Sequence, residues 1–404
     1  MTARENGERR DHDALLVLVA TTTVQALASM AVTIVPVLGP QIAPELGVSP
    51  LALGYYVSML YGAAIVSGTL GGDLVLRHGP IRVSQASLVG AVLGLLLLAS
   101  GVPWLAPVSA ALMGLSFGPT TPASSHMLAL STRPERMNLV FSIKQTGVPL
   151  GGMLAGLLGP SLANLLGWRG ALVAVALAAL ACALLVQPLR RRHDAARAPD
   201  HHIGIAALTG LVSTLRNSAT LRTLALASLC FTVVQLSFMT YLVTYLHEAF
   251  GYSLVAAGLW MSLGHVAGVV GRIVWGMVAD RGLGAVRMVV ILAIGMALGN
   301  VALGLLPPPP PGAALMAVVV LLGACSLGWN GTFLSEVARQ APPGGAGRAT
   351  SAILTCTYGG VVVGPPAFAL LAGATGSYGV GFVALAIAPA LAAVLLYRRR
   401  ALFN

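Results

Sequence analysis

The sequence predicts an all-α membrane protein: twelve transmembrane helices arranged as two six-helix bundles, with both termini in the cytoplasm. Three observations carry this. Of 404 residues, 57% are hydrophobic and only 9% charged, where an ordinary soluble chain carries about a quarter charged residues. The 23 basic and 12 acidic side chains cannot coat the surface of a soluble chain this long. Apolar runs recur at the length, about 20 residues, that a helix needs to cross roughly 30 Å of hydrocarbon. The cations fall almost entirely in alternate loops.

The runs, in order, are 14 to 38, 51 to 76, 81 to 101, 106 to 129, 138 to 159 and 170 to 188, then 222 to 246, 253 to 279, 286 to 306, 313 to 338, 350 to 373 and 379 to 397. The first contains Ala26-Leu27-Ala28, which has the form of a signal-peptide cleavage site. The apolar character continues to Pro40, however, and the repeat described below requires a helix there, so the run is read as a span. Between the sixth and seventh runs a polar stretch holds RRRHD and DHH. The expected organisation is a cytoplasmic tail at 1–13, an N-terminal bundle at 14–189, a cytoplasmic linker at 190–221, a C-terminal bundle at 222–397 and a tail at 398–404. Pro307 to Pro311 form a stiff outer turn, where a missing backbone donor costs little beside water.

Cytoplasmic loops collect Lys and Arg, and here 20 of the 23 fall on one side, with only Arg169 on the other. That sets both termini and the linker in the cytoplasm. The two remaining cations, Lys144 and Arg272, lie inside runs. Net charge of +11 reflects scarce acids and not a dense basic patch, which argues against nucleic-acid binding. Cys182, Cys230, Cys325 and Cys356 sit in apolar runs without C-x-x-C spacing, as packing residues. Neither a metal cluster nor a cofactor motif is expected. No hydrolytic or redox constellation and no G-x-x-x-x-G-K-[ST] loop is present, so the chain reads as neither an enzyme nor an ATP-driven pump.

Three pairs of motifs repeat in order. Gly72 and Arg77 match Gly276 and Arg281, 204 residues apart. Ser116 and Gly118 match Ser326 and Gly328 at 210, and Gly147 and Gly151 match Gly360 and Gly364 at 213. A parallel repeat of two six-helix halves is the plan of a rocking secondary transporter. Glycines spaced as Gly264, Gly268 and Gly271 let helices approach closely, and Pro36, Pro119, Pro122, Pro365 and Pro366 are candidate bends.

With these motifs the chain resembles the major facilitator superfamily over essentially its whole length. The signature loop G-x-x-x-D-R-x-G-R is represented by Gly276, Asp280 and Arg281, while in the first copy Leu76 replaces the acid and Asp73 lies three residues earlier. The resemblance implies a cytoplasmic gate at Asp73, Arg77, Asp280 and Arg281. The exporter-linked G-x-x-x-G-P-x-x-G-G pattern is partial, as Gly147, Pro149, Gly151 and Gly152. Arg272-Ile273-Val274-Trp275-Gly276 resembles the arginine segment of monocarboxylate carriers and oxalate/formate exchangers, which implies a carboxylate contact at Arg272. Those carriers place an acid one turn earlier, where this chain has Gly268.

A charge at the centre of a membrane helix costs at least about 2.5 kcal/mol, so it normally faces a cavity or a partner. Lys144 is the only lysine. His265, Gly268 and Arg272 share a helix face at about two turns' spacing, and in the superfamily fold the fifth and eighth helices meet, which would bring both cations to one cavity. No acid lies at comparable depth, so an anionic ligand is expected to complete the pairing. Arg272 could instead pair with Glu336 or Asp280, and Lys144 could snorkel to the surface. Thr22, Gln25, Ser29 and Thr33 form a polar stripe on the first helix. Tyr61, Gln235, Tyr241, Asn330 and Tyr358, with Ser58 and Trp329, are further lining candidates. For proton coupling the candidates are His265 and His126, with Glu336 as the acid alternative. The expectation is a monomeric secondary transporter of a small organic anion in a bacterial inner membrane, coupled to protons or to a counter-substrate. The alternative is a proton-coupled drug or metabolite exporter.

Overall fold

The computed structural model describes residues 3–132, 137–195, 197–204, 215–216, 218–341 and 346–403. Within them the chain is helical, with no strand. Arg133 and Arg136, used above for orientation, and linker residues 205–214 and 217 lie outside the described residues. Ten helices are long and apolar enough to cross a membrane, against twelve expected runs, and two features produce the difference. The expected fifth and sixth runs fall in one stretch, Val140–His193, which Gly167 breaks into two helices with a non-helical φ of 71° and ψ of 164° that suit a residue without Cβ. The expected fourth run is divided into α6, Leu105–Phe117, and α7, Thr120–Ser131. Pro119 and Pro122 lack the N–H groups that would continue the ladder, and each piece is shorter than a crossing helix needs.

The chain divides into two compact units. The first comprises 1–34, 62–155 and 162–205, and the second 35–61, 156–161 and 206–404. In the first unit, α4, Gly71–His78, ends on Gly79 (φ 93°, ψ 149°), whose N–H donates to Val75 O at 2.8 Å. Helix α5, Pro80–Ala99, follows. In the second unit, α12, Leu254–Val278, runs through a π-type turn at Ala279–Leu283 to Gly284 (φ 79°, ψ 149°), whose N–H donates to Ala279 O at 3.0 Å. Helix α13, Ala285–Gly304, follows, of 20 residues like α5. The same reversal is thus built twice on the same glycine conformation. One turn closes through four residues and the other through five, so the 204-residue offset of Gly72 and Gly276 becomes 205 at Gly79 and Gly284. The structural partner of Gly79 is Gly284, one residue beyond Leu283, the position that the 204-residue offset gives.

The glycine pairs repeat their packing too. A Cβ at Gly147 would press on Thr22 O at 2.9 Å, and one at Gly151 would overlap Ala26 O. In the second unit, a Cβ at Gly360 would overlap Leu229 O, and one at Gly364 would meet Val233 O at 2.8 Å. Both pairs therefore seat one helix on the backbone of another, offset by 213 residues on the glycine side and 207 on the partner side. Lipid gives helices no hydrophobic reason to associate, and such close backbone approach supplies the packing instead. The four cysteines are free thiols.

Candidate functional site

In the first unit, Lys144 is 1% exposed, at the end of α8, Met137–Gln145. It lies one turn before Gly147, on the side of the helix that packs against Thr22 and Gln25. Its Nζ lies 3.4 Å from Gln145 Oε1, and among the described residues no carboxylate stands within ion-pair distance. The side chain does not snorkel to the surface. On α1, Ala3–Val37, Gln25 is also buried. Its Oε1 accepts from Thr121 Oγ1 at 3.3 Å, while its Nε2, like Thr22 Oγ1, is buried without a hydrogen-bond partner among the described residues. Ser29 donates to Val148 O at 2.8 Å, which fixes its hydroxyl in the helix packing. The expected polar stripe thus separates into donors held by backbone and donors left open. Thr121, which the sequence analysis did not single out, belongs to neither group, since its hydroxyl donates to Gln25 Oε1. His126 is half-buried on α7.

In the second unit, the face shared by His265, Gly268 and Arg272 lies against α14, Gly312–Gly328. Gly268 is crowded by Leu327 and by Gly323 O, and Arg272 Nε donates to Leu327 O at 2.9 Å. Arg272 is half-buried. His265 is 1% exposed, with Nδ1 3.0 Å from Met261 O and Nε2 buried and unpartnered among the described residues. Gln235 Oε1 accepts from Trp329 Nε1 at 2.9 Å, and Trp329 packs edge-on to Phe231 and Phe333. Tyr241 is fully buried. Its hydroxyl lies 2.8 Å from Leu51 O and stacks its ring on Phe368, so it binds helices together. Tyr61 packs with Val57, Leu236 and Val361. Asn330 is half-buried at the start of α15, Asn330–Arg339, and Tyr358 is exposed.

The acids are engaged locally. Glu336, 1% exposed, pairs with Arg339 at 2.7 Å and accepts from Gln340 Nε2 at 2.8 Å. Its ion partner is therefore one turn away on its own helix, and not Arg272. Glu248 accepts from Tyr378 at 2.7 Å. Asp73 meets His201 Nε2 at 2.9 Å and accepts from Gly204 N–H at 3.0 Å. The His201 hydrogen bond, with the Gly204 amide, holds its carboxyl below the usual carboxylate range. Arg77, Asp280 and Arg281 are exposed. The His201 contact was not read from the sequence, although the DHH in the linker was its only signal. Among the described residues no cluster of His, Cys, Asp or Glu could hold a metal ion.

This architecture has close structural counterparts. A bacterial homologue of the human lysosomal transporter Spinster, in an inward-facing unoccupied conformation, superposes with a TM-score of 0.78 at 15% identity, covering 97% of this chain and 98% of that one. A mutant of the nucleoside transporter NupG gives 0.79 at 16% identity, covering 96% and 100%. A POT family transporter in complex with 5-aminolevulinic acid gives 0.76 at 14%, covering 96% and 95%. At these identities the likeness is one of fold. No curated protein sequence matches the chain. The family model for the Major Facilitator Superfamily matches residues 21–365, and with that match spanning most of its length, this multi-pass membrane transporter belongs to the Major Facilitator Superfamily.

Proposed function

We propose that the chain is a secondary active transporter of a small organic anion, a carboxylate, working by alternating access. In this reading twelve crossings form two six-helix bundles, 14–189 and 222–397, joined by the linker at 190–221. The termini lie in the cytoplasm of a bacterial cell, and transport is coupled to protons or to a counter-substrate. The observation that carries the reading is Lys144, a buried cation with no carboxylate within ion-pair distance among the described residues. Asp73, Glu336 and Glu248 are already committed to His201, Arg339 and Tyr378, and no described carboxylate stands within ion-pair distance of Lys144, so the charge that would pair with it is best brought by the substrate. Open donors on Thr22 and Gln25 in the same unit suit the oxygens of a carboxylate. Within the second unit, the candidate substrate contacts are Arg272 and His265, with Asn330, Gln235, Tyr61 and Tyr358 as orienting groups and Tyr241 as support. His265, His126 and Glu336 are the coupling candidates, and Asp73, Arg77, Asp280 and Arg281 the gate.

A second reading, a proton-coupled exporter, is favoured by one observation: Glu336 is more deeply buried than its position near a helix end suggests. Uptake and counterflow in proteoliposomes, with panels of carboxylates, amines and neutral solutes, separate the two. Carboxylate counterflow lost in Arg272→Gln and kept in Glu336→Gln supports the anion carrier. Amine or neutral-drug transport abolished by Glu336→Gln and indifferent to Arg272→Gln sinks it.

A further inference from the structure

The first part of the polar linker is not slack chain. Asp194 is 6% exposed, and its two carboxylate oxygens accept from Ile81 N–H at 2.9 Å and Arg82 N–H at 3.2 Å, at the start of α5. Ala198 N–H donates to Leu76 O at 2.8 Å. His201 and Gly204 close on Asp73. Gln187 Oε1 accepts from Gln85 Nε2 at 2.7 Å. The stretch from Gln187 to Gly204 is therefore strapped across the helix ends of the first unit.

The strap encloses an open cavity of about 750 Å³, lined by Gln187, Pro188, Arg190, Arg191, Asp194 and Arg197, with Ala195 at its edge. Three arginines line it with a single acid. That acid's charge is already met by two amides at the positive end of a helix, and its ion pair with Arg190 is a long 4.0 Å. The cavity therefore keeps surplus positive charge in the planar forks that bind phosphate bidentately. One turn before it, on the same apolar span, Leu184 and Leu185 are 67% and 78% exposed. Acyl-facing surface thus runs directly into a basic cup.

We infer that this cavity is a binding site for the phosphate headgroup of an anionic phospholipid, held by Arg190, Arg191 and Arg197 with its chains along Leu184 and Leu185. The ligand chemistry is a phosphate, and the exposed leucines select the lipid over the free ion. A basic pocket beside a span is the form such headgroup sites take. The site is separate from the substrate reading, since it uses neither Lys144 nor Arg272, and either can fail without the other.

The test is a thermal-stability titration of the full chain in a neutral detergent with phosphatidylglycerol, phosphatidylcholine or inorganic phosphate. It is run on wild type, on the triple variant Arg190→Gln, Arg191→Gln, Arg197→Gln, and on a control, Arg398→Gln, Arg399→Gln, Arg400→Gln, that removes three charges elsewhere. Native mass spectrometry counts retained lipid. The expected result is a saturable rise in melting temperature with phosphatidylglycerol only, with one lipid retained. The triple variant should lose both, with at least a tenfold higher half-saturation, and the control should keep them. An equal response to phosphatidylcholine, or an undiminished response in the triple variant, overturns the site. An equal response to inorganic phosphate overturns the lipid assignment.

Discussion

Replacing Lys144 by Met should make the empty protein more stable and the loaded protein weaker. The side chain is 1% exposed, its one polar contact to Gln145 is 3.4 Å, and among the described residues no carboxylate offsets it. An ammonium at such a position carries a cost of about 2.5–3.5 kcal/mol, and a hydrogen bond at the edge of normal range returns about 1 kcal/mol at most. Methionine has nearly the same length and fills the same space without charge, so about 2 kcal/mol of stability should be gained. At roughly 2 °C per kcal/mol for a long chain, that is a rise of about 4 °C in a detergent melt without ligand. Binding runs the other way. A charge-assisted hydrogen bond contributes about 1.5–3 kcal/mol, so affinity for the transported carboxylate should fall by about 10- to 150-fold, while Lys144→Arg keeps most of it. The assay is a melt with and without ligand, plus equilibrium binding. A destabilised Met variant that still binds within twofold would show Lys144 to be a structural cation and refute the reasoning.

Two further outcomes follow from packing and from titration. Gly364→Leu and Gly151→Leu should each lower the melting temperature, since the new Cβ of each meets backbone within 2.8 Å and overpacking costs about 1–3 kcal/mol; Gly276→Leu, which has open space, should not, and equal effects at all three would refute the repeated seating. Asp73's carboxyl is held low by His201 and Gly204, so the bond's stabilisation is complete above the ordinary carboxyl value of 3.8 and is lost as pH falls through the lower folded value. The melting temperatures of wild type and His201→Ala should therefore differ at pH 6 and converge below about pH 3.8, by a small amount because both groups are about a third exposed. A gap that persists or widens in acid would contradict the contact.

The architecture was legible because lipid imposes it: length and polarity alone mark a crossing segment, and the spacing of Gly147 and Gly151 against Gly360 and Gly364 is visible without coordinates. The count was less so. A glycine at φ 71° breaks one helical stretch at Gly167, and Pro119 splits another, in ways that hydropathy does not encode. Partners were the least legible. The lack of a carboxylate near Lys144 could be guessed from position; the depth of Glu336, close to a helix end, could not. That Asp73 would find His201, 128 residues away, could not, because a linker's path depends on hydrogen bonds that periodicity does not record. For the same reason Tyr241 read as a lining residue, yet its hydroxyl is turned to the Leu51 carbonyl.

The two halves agree in their hinges and differ in their charges, and that contrast bears on where function resides. A Cβ at Gly118 would meet Gly68 N at 2.6 Å, and one at Gly328 would meet Arg272 N at 3.2 Å, so the 210- and 204-residue offsets put Arg272 where the first half has Gly68. At 213, Lys144 corresponds to Thr357, a hydroxyl that donates to Ile353 O at 2.9 Å in its own helix. At 210, His126 corresponds to Glu336. In the proposed alternating-access reading both halves bend alike, which the matched turns at Gly79 and Gly284 suit. A ligand without twofold symmetry needs a cavity that is not symmetric either. Each of these two cations replaces a neutral residue in the other half, and one matched pair, His126 and Glu336, joins a base to an acid. The departures from the repeat, Lys144 and Arg272, are thus also the residues whose charge is costly in a membrane span.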